Sequence, residues 1–404
     1  MHFIDLLILI AYMVAMLGVG VYFLRRNADT EDYYVGGRKL GAWHVGFSVV
    51  ATDVGGGFSI GLGGLGFAMS GSWMLFTGLL GAWLAAVVLI PRVKRNPALS
   101  RALTFPDLFR SSYGPQVAML AGVISAVGYL GFTSSQLLAG AKLANGTFVD
   151  LDMQTALWIM GAVAVGYTVM GGLKAVIYTD TVQWAVLMLG LIFVGLPVSY
   201  AAVGGWEVIV QTLPPQMLSL GNLSWQEALK WLVTIVPIWF VGMTLYQRIY
   251  ACRDEQTARR AWYLAGLLEW PVMAFMGVGL GLLARVAADQ GMFAHLGAQA
   301  VGQVDPETGL PMLLRTVMPV GLMGLILAAY FSAILSTADS CLMASSGNVV
   351  SDILARALGW DPSDARMLRW SQLATLVLGI LALLLASQMS SVLDLMLYSY
   401  AFLV

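Results

Sequence analysis

Charge is scarce in this chain. Asp, Glu, Lys and Arg together make up 11% of its 404 residues. So little solvated surface excludes a soluble globule of this size, and a net charge of −1 excludes a nucleic-acid surface. Cysteine is nearly absent. Cys252 and Cys341 lie far apart, one expected in a cytoplasmic loop and one in a membrane helix, so neither a disulfide nor a thiolate metal site is expected. His2, His44 and His295 are scattered. With no nucleophile–base pair and no metal-ligand spacing, the chain does not read as an enzyme. The N-terminus lacks a basic lead-in and a small-residue cleavage site, so its first apolar run reads as a spanning helix, not a removed signal.

What is plentiful is apolar surface and glycine. Hydrophobic residues reach 59%, mean hydropathy is +0.80, and there are 45 glycines. This predicts an all-α polytopic membrane protein in a lipid bilayer, with about eleven transmembrane helices. The first runs over 2–25 and the second over 44–70. The seventh covers 226–250, the ninth runs from 318 and can extend to 357, and the eleventh begins near 391 and is cut off at Val404. Gly171 and Gly172 form a turn between the fifth and sixth. The segment 204–225 reads as a long loop, and 288–312 as an externally exposed polar loop. With the N-terminus outside, 17 of the 21 lysines and arginines fall on internal loops and helix ends. That bias sets the expected orientation. The expected location is the plasma (inner) membrane, multi-pass.

Without the first span, ten remain, five in each half. An odd number per half makes the second half run inverted to the first, the arithmetic of an inverted-repeat transporter. The division is an extra N-terminal helix and loop, 1–43, a first repeat, 44–203, and a second repeat, 226–404, within a single transporter domain. The first helix of each repeat is expected to be discontinuous at the substrate. The second span has Gly55-Gly56-Gly57 directly after Asp53, and the seventh has Pro237 and Gly242.

The stretch Ala333-Ile334-Leu335-Ser336-Thr337-Ala338-Asp339-Ser340 carries the chemistry. Ala333, Ser336 and Thr337 share one helix face and offer two hydroxyls and a carbonyl. Small residues here also suit close helix packing. A carboxylate at mid-membrane, Asp339, tips the reading toward a cation site. A sodium ion would take the carbonyls of Ala51 and Val54 from the broken second span. The ninth span would add the Ala333 carbonyl and the hydroxyls of Ser336 and Thr337. A second cation could use Ser336, Asp339 and Ser340, with Asp180 balancing charge. Asp180 also reads as a helix N-cap.

Val35-Gly36-Gly37-Arg38, Ala51-Thr52-Asp53, Gly171-Gly172-Leu173, Tyr178-Thr179-Asp180-Thr181-Val182-Gln183, Gln247-Arg248 and Ser336-Thr337-Ala338-Asp339-Ser340 stand in order. Together they resemble the sodium:solute symporter family. The resemblance implies sodium-driven symport by alternating access on a ten-helix core, and a chain that usually continues past this one's end. By position, Ala51, Val54, Ala333, Ser336 and Thr337 match its sodium site. Asp180, Ser336, Asp339 and Ser340 match a second site found in part of the family.

The solute is read from the lining. Choline-type members place tryptophans where Asp53 stands and near Gly242, so the aromatic cage of a quaternary ammonium is incomplete here. Asp53 resembles the aspartate of proline-type members and can pair with an amine. Phe58, Phe76, Thr77, Gln136, Trp239 and Thr244 are the other candidates. No basic residue is expected at midplane depth. The function that follows is sodium-coupled import of a small polar solute, an amino acid or amine, with a sugar, carboxylate or vitamin as alternative. A passive channel or a transporter-like sensor would be the other class. Glu269 reads either as a buried acid with a role or as a residue at the internal end. The oligomeric state is not legible.

Overall fold

The computed structural model describes residues 2–24, 30–69, 77–99, 102–148, 150–219, 222, 224–271, 277–360 and 363–404. These residues are almost entirely helical, with no strand among them. Leu40 and Cys252 make one isolated bridge. The principal helices are α1 (Phe3–Leu24), α2 (Ala42–Gly56), α3 (Leu62–Ala68), α4 (Thr77–Leu84), α5 (Pro115–Thr147) and α6 (Met153–Gly190). After them come α7 (Trp225–Val241), α8 (Met243–Ala251), α9 (Glu255–Pro271), α10 (Leu280–Asp289) and α11 (Pro306–Val317). The last three are α12 (Leu322–Gly347), α13 (Asp364–Ala386) and α14 (Val392–Leu403).

By length and composition, five helices among the described residues can each cross a bilayer alone, and the α7–α8 pair makes a sixth if counted as one bent span. The rest of the apolar runs are divided among shorter pieces. α2 passes through a widened turn at Gly57–Gly61 into α3. α6 contains the turn expected at its glycines. Gly172, at φ 67° and ψ 172°, reverses the chain between two spans. Only a residue without Cβ holds that conformation at low cost.

α12 lies at the centre. It packs on α5, α6, α2 and α1, and every residue from Ile326 to Gly347 is buried. A lipid-facing helix would be exposed along one side, so this helix is buried all round, as its uniformly apolar and small sequence requires. Its first turn needs acceptors for four orphan amides. Asp5 of α1 supplies one, accepting from Gly321 N–H at 2.7 Å and Gly324 N–H at 2.8 Å.

Two sequence expectations fail, one in the segment 204–225 and one in 288–312. The segment 204–225 is not a plain loop, since it holds short helices at Gly205–Thr212 and Pro215–Leu218. The Asp305-Pro306-Glu307 stretch is not simply an exposed loop. It starts α11, with Asp305 as N-cap, and Glu307 to Leu314 are buried. The reason is Lys142, buried near the end of α5, whose Nζ lies 2.7 Å from Asp305 Oδ2 and 2.6 Å from Glu307 Oε2. Glu307 also accepts Val392 N–H at 2.9 Å and Leu393 N–H at 3.0 Å, capping α14. A buried carboxylate is tolerable only with this many donors.

Glu307→Ala leaves a buried lysine short of its partner and uncaps α14. We expect a loss of about 3 kcal/mol, read as a lowered unfolding midpoint of the purified protein in detergent. An unchanged midpoint would mean that the cluster is structurally idle.

Candidate functional site

The site forms where α2 breaks. Gly55 sits at φ 22°, ψ −162° inside an otherwise helical segment. A break in mid-membrane frees peptide groups that lipid cannot satisfy, so neighbouring helices must do it. Gln136 of α5 takes the Gly56 N–H at 2.6 Å. Thr337 of α12 donates its hydroxyl toward Ala51 O at 2.9 Å and Ala333 O at 3.2 Å. The Gly57 N–H turns back to Val54 O. A Cβ on Gly55 would lie 2.5 Å from Thr337 Oγ1 and 2.6 Å from Gln136 Oε1. The glycine is therefore needed twice, for its dihedrals and for this approach.

Thr337 thus brings Ala51 and Ala333 to one point, and Val54 ends the same helical segment. Ser336 Oγ, one residue before Thr337, is buried without a hydrogen-bond partner. Ser336 and Thr337 are 3% and 0% exposed, which turns both away from lipid. The group offers only neutral oxygens.

The second expected discontinuity falls at Gly242, not at Pro237. α7 runs through Pro237, and Gly242 leaves the helix at φ −66°, ψ 110°. α7 and α8 meet there at 41°. Between the two breaks lies a small cavity of about 20 Å³. Asp53, Thr52, Thr244 and Cys341 supply its polar lining, and Tyr129, Phe132 and Tyr400 its aromatic wall. Asp53 Oδ2 is buried, and beyond the neighbouring Glu269 carboxyl no group among the described residues donates to it.

Of the expected lining residues, Asp53 and Thr244 reach this cavity. Gln136 is occupied by the α2 break. Trp239 is fully buried and packs on α4, where a Cβ on Gly81 would fall 2.1 Å from its ring. Phe76, and the side chains of Phe58 and Thr77, lie outside the described residues. Tyr129, Phe132 and Tyr400 were not legible. Each belongs to an apolar helix pattern and only packing aims it inward.

The expectation of no deep basic residue is wrong. Arg248 has no exposed surface. Read along the sequence, it ends the seventh span at the internal face. It does stand in the last turn of α8, but its side chain turns inward among α2, α6 and α12. Its Nε donates to Ser48 Oγ at 3.0 Å, its Nη1 to Thr244 O at 3.2 Å and its Nη2 to Ser340 Oγ at 2.9 Å. Nη2 also reaches Thr52, and lies 3.5 Å from Asp180 Oδ2. Ser48 donates to the same Asp180 oxygen.

This network bears on the second cation set. Asp180 and Ser340 both face the Arg248 guanidinium, while Asp339 accepts from Thr168 of α6 and keeps Oδ2 without a partner. Asp180 lies within α6 at a buried position. It is not a helix N-cap. Glu269 is a buried acid. It has no exposed surface, and beyond the Asp53 carboxyl neither of its oxygens has a donor among the described residues.

A family model described as "sodium:solute symporter family" matches residues 33–404. Among relatives, the high-affinity proline transporter PutP of Bacillus subtilis is 26% identical over 402 residues, spanning 96% of this chain and 81% of that protein. The sodium/glucose cotransporter of Vibrio parahaemolyticus is 25% identical over 427 residues, spanning 97% and 76%. Among solved structures, a Na+-coupled sialic acid symporter in its substrate-bound outward-open state has a TM-score of 0.81. It covers 96% of this chain and 82% of its own at 22% identity, which establishes a common fold.

Gly55→Ala places a methyl group against Thr337 and forces a strained φ. We expect a loss of about 1–3 kcal/mol and weakened sodium-induced stabilisation, both measured by thermal unfolding with and without sodium. Wild-type behaviour in both would separate the break from the site.

Proposed function

Since the chain belongs to the sodium:solute symporter family, whose coupling ion is sodium, we propose that it imports a small polar solute, an amino acid or amine, by alternating access. In this reading sodium is held by the carbonyls of Ala51, Val54 and Ala333 and the hydroxyls of Ser336 and Thr337. All five ligands are neutral. That suits a monovalent ion that must leave again in each cycle.

The observation that carries the reading is the contact of Thr337 with Ala51 across the break at Gly55. It joins the two elements that the ion would bridge. In this reading the solute binds at the cavity between the breaks, which at about 20 Å³ has to widen to admit it, with Asp53 facing its amine. Relatives at similar identity include both proline and glucose transporters, so the preference for an amine rests on Asp53. A sugar is the alternative.

A second sodium among Asp180, Ser336, Asp339 and Ser340 requires Arg248 to withdraw from Asp180 and Ser340. The reading keeps that site for another stage of the cycle. It also takes 1–43 as an extra helix and loop ahead of two inverted repeats, 44–203 and 226–404. There are about eleven spans in all, and the N-terminus is outside.

Ser336→Ala and Thr337→Ala should each weaken sodium binding about tenfold or more, the loss of one charge-assisted contact. Asp53→Asn should impair uptake. Sodium-dependent uptake into proteoliposomes, after a thermal-shift screen of amino acids, amines, sugars and carboxylates to choose the solute, is the test. Wild-type sodium dependence in both hydroxyl variants would refute the ion site. Asp339→Ala should lower the sodium-to-solute ratio, and an unchanged ratio would remove the second ion.

A further inference from the structure

The sodium reading leaves one pair of side chains unused. Asp53 on α2 and Glu269 on α9 come from helices packed against each other, and their carboxyl groups interact directly. Glu269 is 0% exposed and Asp53 8%. Apart from the contact between the two carboxyl groups themselves, no hydrogen-bond donor among the described residues reaches Asp53 Oδ2, Glu269 Oε1 or Glu269 Oε2. Arg248, the buried cation of the neighbouring network, is already engaged by Asp180, Ser48, Thr52 and Ser340. Two carboxyl groups side by side in a low-dielectric interior need positive charge or shared hydrogen between them.

We propose that Asp53 and Glu269 together recognise a primary ammonium group, and that the transported solute is a small amine of net positive charge. This deepens the solute reading above and rests on it. Asp53 lines the cavity, and Tyr400, another lining residue, lies within electrostatic range of both carboxyl groups. Beyond their contact with each other, three oxygens of the pair have no donor among the described residues, and a primary ammonium brings three N–H groups. Phe132 and Tyr400, stacked at 4.9 Å, add aromatic surface of the kind that attracts cations.

The same facts exclude other classes. A quaternary ammonium carries the charge but no N–H, so it would leave buried acceptors unpaired. A sugar brings donors but no charge. A zwitterion adds a third carboxylate where the available guanidinium is already committed. Glu269 is the residue that distinguishes this site from one with Asp53 alone.

The test uses the full chain in detergent with sodium present. Thermal shifts are recorded for putrescine and ethanolamine against L-proline, D-glucose and choline. In the wild type the two primary amines should stabilise at lower concentration than the other three. Glu269→Gln should weaken the amines about tenfold or more, the loss of a charged hydrogen-bond partner. The sodium-induced shift of each protein reports that it is folded. Stabilisation of the wild type by L-proline, D-glucose or choline at concentrations equal to or below those of the amines overturns the proposal, whether or not the variant folds. So does the absence of any shift with the amines, or an unaltered amine response in folded Glu269→Gln. Failure of the sodium site has a different signature, the loss of the sodium-induced shift itself.

Discussion

A hydroxyl on one helix reaches the freed carbonyl of another. Thr337 on α12 meets Ala51 O just ahead of the break at Gly55, and much of the core is arranged to permit that meeting. A helix interrupted inside a bilayer must hand its unpaired peptide groups to protein. Gln136 and Thr337 take two of them. Their side chains come so near that a Cβ at Gly55 would overlap both. The adjoining glycines serve the same end. A Cβ on Gly56 would fall 2.4 Å from Ala139 Cβ, and one on Gly57 2.3 Å from Met396 Sδ.

Burial of charge follows a common logic through the molecule. Lys142 binds Asp305 and Glu307, and Glu307 in turn caps α14. Arg248 is held by Asp180 and a ring of hydroxyls and one carbonyl. Both of these buried cations are met by opposite charge and by hydrogen bonds, whereas buried Asp339 has the Thr168 hydroxyl and keeps Oδ2 without a partner. Asp53 and Glu269 depart from the pattern too, with acid on both sides and no cation among the described residues between them. A shared proton or the ammonium of a bound solute is what can balance such a pair.

The two discontinuities also differ in how they serve the site. Gly55 opens α2 to a neutral cluster of oxygens. Gly242 bends the α7–α8 pair; beyond it Thr244 faces the cavity, and the Arg248 guanidinium in the last turn of α8 locks onto α2, α6 and α12. One break therefore frees carbonyl oxygens, and the other lies beside a buried charge.

Local sequence determined a good deal. Apolar length and the glycine pairs marked the helices and the reversal at Gly172. Gly55-Gly56-Gly57 and Gly242 marked both breaks, because backbone freedom is a property of the residue itself. The spacing of Ala333, Ser336 and Thr337 placed them on one face, because helical periodicity is local. Tertiary structure alone decided which side chains fill the spaces so created. Gln136 went to a peptide N–H and Trp239 to Gly81. Arg248 turned its guanidinium inward from a helix end to Asp180 and Ser340, and Lys142 drew Asp305-Pro306-Glu307 out of an apparent loop. Each of these turns on a partner more than fifty residues away in sequence, and attraction between distant charges and donors leaves no periodic trace along a chain.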